Sequence, residues 1–309
     1  MENNLINFFS SKLKSANQIK LAFPEKDDRV KEAKSVLSSI GLELVDINSS
    51  SLLDNHIELL KKLKFSKDWP TENLIEYLNN PFIKSLVMLK NNEINGVVCG
   101  CTMPSSDIIR NSIRIIGLKE RVKWLSSMFL MISEDATNML SFSDCAVIPE
   151  PSPEQLCDIA KETSRVHEVL VKKQAKVAFL SFSTKGSADH YRVKNVRKAV
   201  KLFSKKNPKI LHDGEIQLDA AIDPIVSNKK NDNSQLKGDA NILIFPNLDA
   251  GNIGYKLVQK FGKYYACGPL LLGLNSPVND LSRGATVDDI ILIGLITALQ
   301  AEKEKYADV

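Results

Sequence analysis

Residues 19–47 read IKLAFPEKDDRVKEAKSVLSSIGLELVDI, and this stretch decides the fold. An apolar run at residues 19–23 is followed by a segment of helical period at 28–40, which stops at Gly41. A second apolar run occupies residues 42–47. A strand, a helix and a strand in this order are typical of a βαβ unit, whose two strands lie parallel in one sheet.

The same alternation returns three times further along the chain. Apolar runs at residues 96–101, 177–181 and 241–245 each precede a helical pattern, at 105–116, 188–203 and 251–261. This repetition predicts an α/β fold with mainly parallel sheets covered by helices on both faces. Residues 48–80 lack the alternation, and their leucine spacing predicts short helices. Because 309 residues exceed the usual size of a single core, we expect two domains.

Composition is typical of a globular cytoplasmic enzyme, with 43% hydrophobic and 25% charged residues. Five cysteines are an odd number in a chain too long to need disulfide bonds, which favours a reducing compartment. The longest apolar stretch, residues 290–299, is about half as long as a membrane span requires. The lysines behind the net charge of +4 are scattered rather than clustered, which disfavours nucleic acid as a partner.

The most polar loop comes just before the last helical pattern. Residues 273–284 read GLNSPVNDLSRG, and a loop of this composition is typical of ligand binding or of helix capping. The spacing of Thr286 and Asp289 fits a variant of the capping box, in which Asp289 satisfies backbone donors. The residues alone leave a binding role and a capping role open for Asp289.

A second polar segment, residues 100–110, reads GCTMPSSDIIR and joins a strand to a helix that begins near Ser105. Helix N-termini attract anions through their free backbone donors, so Ser105 and Ser106 are candidate phosphate contacts. Arg110 lies one turn further on. Its guanidinium can bind a phosphate there, or it can pair with Asp107 as an ordinary i, i+3 contact.

A third segment, residues 181–187, reads SFSTKGS between a strand and a helix. Ser183, Thr184 and Lys185 indicate either a phosphate-binding turn or a solvated turn with no ligand. The segment is not a Walker A loop, because the lysine precedes the glycine. His56, His167, His190 and His212 show no ligand spacing, and we expect no bound metal.

Together with residues 273–284, four further segments closely resemble the phosphate acetyltransferase family. They read DCAVIPEPS at 144–152, SFSTKGSA at 181–188, DGEIQLDAA at 213–221 and FPNLDAGNIGYK at 245–256. The likeness extends from about residue 96 to 301. The chain resembles the short form of the family, which consists of the catalytic unit alone.

The resemblance implies a two-domain fold like that of isocitrate and isopropylmalate dehydrogenases, with the active cleft between the domains. Residues 1–121 and 283–309 would form the first domain and residues 122–282 the second. It also implies a cytoplasmic homodimer that converts acetyl-CoA and phosphate to acetyl phosphate and CoA, reversibly. CoA would be a substrate, and no cofactor is expected.

Family positions assign a role to several residues. Asp289 would take the proton of the CoA thiol, Ser282 would hydrogen-bond the reacting groups, and Arg283 would stabilise phosphate and the developing oxyanion. Arg110 would hold the phosphoryl group, and Arg29 matches another arginine of the family cleft. The resemblance also places Ser105, Ser106, Ser183, Thr184, Lys185 and Asn279 among the substrate-binding residues.

Two positions depart from the family pattern. Lys61 stands in a segment where an arginine is usual, and Ser276 stands where lysine is common before the proline. Both departures concern substrate affinity rather than the reaction class. Two alternatives remain at this stage: a phosphate butyryltransferase, and a non-catalytic protein that binds CoA or acetyl phosphate.

The ordinary pKa of an aspartate such as Asp289, the proposed base, is far below that of the thiol whose proton it would take. An ordinary aspartate has a pKa near 3.9 and a thiol one near 8.5, so full proton transfer is roughly 6 kcal/mol uphill. We expect burial of Asp289 and stabilisation of the thiolate by Arg283 to reduce this difference. No residue is a strong candidate for a covalent nucleophile, which favours direct attack in a ternary complex.

Overall fold

The computed structural model describes residues 2–47 and 54–306. The helices are α1 (Glu2–Ser10), α2 (Asp28–Ser39), α3 (Asp54–Lys62), α4 (Thr71–Leu78), α5 (Pro81–Lys90), α6 (Ser105–Ile115), α7 (Pro153–Val171), α8 (Tyr191–Lys206), α9 (Leu218–Ile222), α10 (Pro224–Lys230), α11 (Leu248–Phe261) and α12 (Val287–Tyr306). The strands are β1 (Lys20–Ala22), β2 (Glu43–Val45), β3 (Gly96–Cys99), β4 (Ser126–Ile132), β5 (Met139–Ser143), β6 (Lys176–Leu180), β7 (Leu211–Ile216), β8 (Ile242–Ile244), β9 (Tyr265–Leu272) and β10 (Val278–Asp280).

The chain forms two compact units. Unit 1 comprises Met1–Arg121 and Leu274–Val309, and unit 2 comprises Val122–Gly273. The first boundary coincides with the one expected from the family resemblance, whereas the chain returns to unit 1 nine residues before the expected position 283. The difference arises because β10 pairs with β3 of unit 1.

Unit 1 contains four parallel strands in the order β2-β1-β3-β10. The register aligns Val278 with Val97 and Asp280 with Cys99. Helix α12 packs on β3 and on α2. Gly96 permits this close approach, because a Cβ atom there would lie 2.6 Å from Thr297 Cγ2. The apolar residues of α12 from Ile290 to Ala301 are buried, Ile290 and Ile296 completely, and they form a core for unit 1.

Unit 2 has the strand order β9-β4-β5-β8-β6-β7. Strand β4 runs antiparallel to β9 and to β5, and the remaining neighbours are parallel. Its core includes an edge-to-face contact between Phe179 of β6 and Phe203 of α8, with ring centroids 5.3 Å apart. Helix α7 begins with a full capping box formed by Ser152 and Gln155.

The predicted α/β fold with mainly parallel strands is confirmed. The short helices expected between residues 48 and 80 are present as α3 and α4, while residues 48–53 lie outside the described residues. One expectation is wrong in part: residues 273–284 are not all loop, since residues 278–280 form the buried strand β10. No helix in residues 2–47 and 54–306 is long and apolar enough to cross a bilayer.

Candidate functional site

The segment from Ser282 to Asp289 begins helix α12. Thr286 precedes the first residue of the helix, and its backbone amide and Oγ1 both donate to Asp289 Oδ2, at 2.8 and 2.9 Å. The Asp289 amide donates back to Thr286 Oγ1 at 3.2 Å. This is the capping arrangement predicted from the spacing. The two hydrogen bonds use only Oδ2, and Oδ1 of Asp289 has no partner among the described residues.

Asp289 is only partly buried, which corrects the expectation of a buried carboxylate. The first turn of α12 faces outward at this point, because the apolar positions that pack inward begin with Ile290. A capping role and a binding role are compatible here. One carboxylate oxygen holds the helix, and the other remains accessible to a ligand.

Arg29 holds the backbone of the same segment. Its Nη1 donates to the carbonyl oxygens of Arg283 and Ala285, at 3.0 and 2.7 Å. The opposite side of the guanidinium forms a bidentate pair with Asp27, through Nε at 3.0 Å and Nη2 at 2.8 Å. These hydrogen bonds with Arg29 lower the pKa of Asp27. Arg29 therefore holds the conformation of the loop, and its guanidinium is already engaged by Asp27 and two carbonyl oxygens.

Ser282 and Arg283 are both exposed. Ser282 Oγ accepts a hydrogen bond from the Gly284 amide at 3.3 Å, and its carbonyl accepts from the Ala285 amide at 2.9 Å. Within the described part of the chain, the Arg283 guanidinium has no hydrogen-bond or ion-pair partner. The loop thus presents one unpaired guanidinium and one hydroxyl to solvent.

The loop between β3 and α6 surrounds an internal carboxylate. Glu25 accepts hydrogen bonds from the amides of Gly100, Cys101, Thr102 and Met103, at distances of 2.7 to 2.9 Å, and from Thr102 Oγ1 at 2.7 Å. Successive amides that point to one spot form an anion-binding nest. Because Glu25 occupies this nest, an external phosphate would have to bind through side chains further along.

The first turn of α6 is held by a second carboxylate. Ser105 Oγ donates to Asp280 Oδ2 at 2.5 Å, which links the start of α6 to the end of β10. Ser106 and Arg110 are exposed on the same helix. Arg110 Nη1 lies 3.1 Å from Asp107 Oδ1, as the i, i+3 reading predicted, and both side chains are half-exposed. A pair this exposed is weak, so Arg110 can still turn to a phosphate.

The phosphate-binding turn predicted at residues 183–185 belongs to unit 2, and its polar groups are satisfied internally. Ser183 Oγ donates to Glu215 Oε1 at 3.0 Å, and the Lys185 ammonium pairs with Asp213 and donates to the Gly214 carbonyl at 3.0 Å. Arg197 completes the group by a bidentate contact with Glu215 at 2.8 and 2.9 Å.

Thr184 is buried, and its Oγ1 accepts a hydrogen bond from the Gln217 amide at 3.0 Å. Since the other two residues of the turn are also engaged within unit 2, the structure favours the reading of this turn that needs no ligand.

Asn279 is also placed differently from the expectation. It has no exposed surface, and its Nδ2 donates to Thr297 Oγ1 and Gln300 Oε1 of α12, at 2.8 and 2.7 Å. These contacts join β10 to α12, so we leave Asn279 out of the proposed substrate site. Of the two departures, Lys61 lies 3.4 Å from Glu58 in an exposed pair, and Ser276 is partly buried.

Sequence reasoning missed three residues of this site: Glu25, Asp27 and Asp280. Glu25 and Asp27 lie in the segment Pro24–Arg29, where only the arginine was chosen, and Asp280 lies two residues before Ser282. The only indication in the sequence is that each of these acids lies within four residues of a predicted site residue, either Arg29 or Ser282. In the described residues, no three His, Cys, Asp or Glu side chains are grouped so that they could hold a metal ion.

Comparison with known proteins shows which family the chain belongs to. Residues 12–298 match the family model described as phosphate acetyl/butaryl transferase. The phosphate acetyltransferase of Clostridium acetobutylicum is 38% identical over 283 residues, which cover 90% of this chain and 85% of that protein. The crystal structure of a phosphotransacetylase from Streptococcus pyogenes superposes with a TM-score of 0.90 at 32% identity, over 97% of this chain and 99% of that one.

The predicted dehydrogenase-like fold is confirmed as well. The crystal structure of 4-hydroxythreonine-4-phosphate dehydrogenase from Klebsiella pneumoniae covers 91% of this chain, and 99% of that chain is matched. Its TM-score is 0.53 at 10% identity. At this identity the likeness concerns the fold alone.

We predict that Arg29→Lys loosens the segment that carries Ser282 and Arg283. An ammonium cannot make the planar contacts to Asp27 and to two carbonyl oxygens at once. Amide hydrogen exchange at residues 283–286 should become faster, whereas Lys31→Arg, a change of similar size in α2, should leave it unaltered. Unchanged exchange in the Arg29 variant would contradict the holding role.

Proposed function

This chain belongs to the phosphate acetyl/butaryl transferase family, and on that basis we propose that it transfers acetyl groups between CoA and inorganic phosphate by direct attack in a ternary complex. Family membership makes it an acyltransferase. The residue roles and the order of events below are proposals for this chain.

One observation carries the proposal: Ser282, Arg283 and Asp289 lie on one segment of eight residues, with Arg283 exposed and unpaired among the described residues. Arg29 and the capping box hold the backbone of this segment from both sides. A fixed backbone with a free guanidinium suits stabilisation of a charge that develops during reaction, because little reorganisation is then needed.

In the direction of acetyl-CoA formation, the CoA sulfur attacks the carbonyl carbon of acetyl phosphate. The carbon–sulfur bond forms, the carbon–oxygen bond to phosphate breaks, and phosphate leaves with the bonding electrons. Arg283 would stabilise the oxyanion and the leaving phosphate, and Ser282 would donate a hydrogen bond to the reacting groups. The thiol proton would pass to Asp289 and from there to the released phosphate or to water.

Oδ1 of Asp289 is the oxygen available for that proton, since Oδ2 accepts both bonds from Thr286. Asp289 is partly exposed rather than buried. Stabilisation of the thiolate by Arg283 must therefore contribute most of the reduction in the acidity difference. Proton transfer concerted with attack on the carbonyl would avoid a fully formed thiolate.

The phosphate would be held by side chains at the start of α6. Ser106 and Arg110 are exposed there, Ser105 is held by Asp280, and Glu25 occupies the amides of the preceding loop. Holding both substrates at once replaces a bimolecular encounter by a positioned one, so an acyl-enzyme is not required.

CoA serves as a substrate, and we propose that no further cofactor takes part. We place the reaction in the cytoplasm.

We further propose that the working form is a homodimer joined through unit 2. Ile253, Leu257 and Phe261 follow one another at four-residue spacing on one face of α11, and all three are exposed, with Phe261 at 84%. Of the large hydrophobic side chains exposed among the described residues, eight of eleven belong to unit 2. An apolar face this concentrated is typical of an interaction surface rather than of scattered surface residues.

We predict that purified protein releases CoA from acetyl-CoA only when phosphate is present, with EDTA in the buffer. Arg283→Gln should lower kcat by about 100-fold or more, as expected for loss of an oxyanion donor. Asp289→Asn should lower kcat by about 100-fold, the lower range of general base catalysis, while the amide oxygen still caps α12. The measurement is thiol release at saturating substrates.

Asp288→Asn is the matched control for the base, since it changes the neighbouring carboxylate of the same helix turn and should retain activity. Butyryl-CoA is assayed in parallel. A higher kcat/KM for butyryl-CoA than for acetyl-CoA would move the chain to phosphate butyryltransferase activity, and no turnover with either substrate would refute the proposed function.

The ternary complex predicts a kinetic pattern of its own. Initial rates at varied acetyl-CoA and several fixed phosphate concentrations should give intersecting double-reciprocal lines. Parallel lines, or recovery of an acetylated enzyme after mixing with acetyl-CoA alone, would contradict direct attack.

The homodimer proposal predicts that Phe261→Asp separates the protomers, because a charge in an apolar interface is costly to desolvate. Light scattering after gel filtration should give the dimer mass for the unaltered protein and the monomer mass for the variant. Ile75→Asp, which changes an exposed residue of unit 1, is the control and should remain dimeric. A monomeric unaltered protein would overturn the proposal.

A further inference from the structure

Asp280 is a carboxylate in the interior of unit 1, and none of the described residues pairs with it as a cation. It is 2% exposed and lies at the end of β10, opposite Cys99 of β3. Its Oδ2 accepts the hydrogen bond from Ser105 Oγ at 2.5 Å, and its Oδ1 is buried with no hydrogen-bond partner among the described residues. A buried polar atom left without a partner raises the free energy of the folded state.

The neighbouring backbone is shaped to admit this carboxylate. Gly100 has a φ of +117°, and a Cβ atom at that position would lie 2.2 Å from Asp280 Oδ1 and 2.5 Å from the Leu281 amide nitrogen. A side chain at residue 100 would therefore displace the carboxylate from its place beneath α6. The missing side chain of Gly100 therefore leaves the space that the Asp280 carboxylate occupies.

The surroundings of Asp280 disfavour its charge. Burial raises its pKa to about 6, and the nearby carboxylate of Glu25 adds to the effect. Cys99 and Cys101 also face this region, and burial raises the pKa of both thiols. The cation Arg29 acts on Cys101 in this region, and its guanidinium is engaged by Asp27. An uncharged asparagine of nearly the same shape would cost less to bury here.

We propose that Asp280 is a positioning residue for phosphate: its carboxylate fixes Ser105, the first residue of α6, and thereby sets the direction of Ser106 and Arg110. The charge-assisted hydrogen bond from Ser105 holds the helix start more tightly than a neutral acceptor would. The inference rests on the proposed function, since it assigns α6 to the phosphate substrate. The unpaired carboxylate then lowers the stability of the folded protein and in return keeps the phosphate site rigid.

Stability at two pH values distinguishes this role from a purely structural one. The pKa of Asp280 in the folded protein, about 6, lies above the ordinary value of 3.8. The folded state therefore binds the proton more tightly, and stability falls as pH rises from about 4 to 6. Asp280→Asn removes this loss, so its Tm should exceed that of the unaltered protein at pH 8 and the gain should disappear near pH 4.

Phosphate binding is measured by titration calorimetry, which does not require turnover. Asp280→Asn and Ser105→Ala should each raise the Kd for inorganic phosphate, by about 5- to 10-fold, the difference expected between charge-assisted and neutral hydrogen bonds. The double variant should be no weaker than the single ones, because both remove the same contact. The KM for acetyl-CoA should stay within about twofold.

Ser112→Ala is the matched control, since Ser112 lies on the same helix and its buried Oγ has no partner among the described residues. It should leave phosphate affinity unchanged. A lower Tm at pH 8 together with unaltered phosphate affinity in Asp280→Asn would show a structural role only and would overturn the inference. Since unaltered protein is assayed for turnover separately, loss of this inference leaves the proposed acetyl transfer standing, whereas failure of the proposed function shows as absent turnover in the unaltered protein.

Discussion

The pairing of β10 with β3 is the constraint on which the site of unit 1 depends. The two strands are parallel and aligned from Val278 with Val97 to Asp280 with Cys99, so both end at the same edge of the sheet. Beyond β3 the chain turns into α6, and beyond β10 it turns through Ser282 and Arg283 into α12. Parallel strands that share an edge bring their following loops together, which explains why residues so distant in sequence form one site.

Three carboxylates then stabilise the proposed site for phosphate. Glu25 accepts the amides of the loop before α6, Asp27 orients Arg29, and Asp280 holds Ser105. Each carboxylate accepts hydrogen bonds from donor groups that would otherwise be flexible or would themselves bind the substrate. The exposed guanidinium of Arg283 has no partner among the described residues, and in the proposed mechanism it stabilises the negative charge that the reaction develops.

Local patterns in the sequence predicted the parts of the structure that local contacts determine. Alternating apolar runs predicted the parallel α/β fold, and i, i+3 spacings predicted the cap at Asp289 and the pairing of Arg110 with Asp107. Strand β10 was missed because it follows a proline and two of its three residues are asparagine and aspartate, so only tertiary burial makes it a strand. Glu25 and Asp280 were missed because their partners lie 75 to 78 and 175 residues away.

The division of unit 1 into two chain segments has a consequence for biosynthesis. Unit 2 is continuous, from Val122 to Gly273, and can form its core as soon as its own residues have left the ribosome. Unit 1 must wait, since β10 and α12 follow unit 2 in the chain and supply the strand that pairs with β3 and the helix that packs on it. The nascent protein therefore carries an incomplete first unit, with β3 lacking one neighbour, until β10 and α12 have been made.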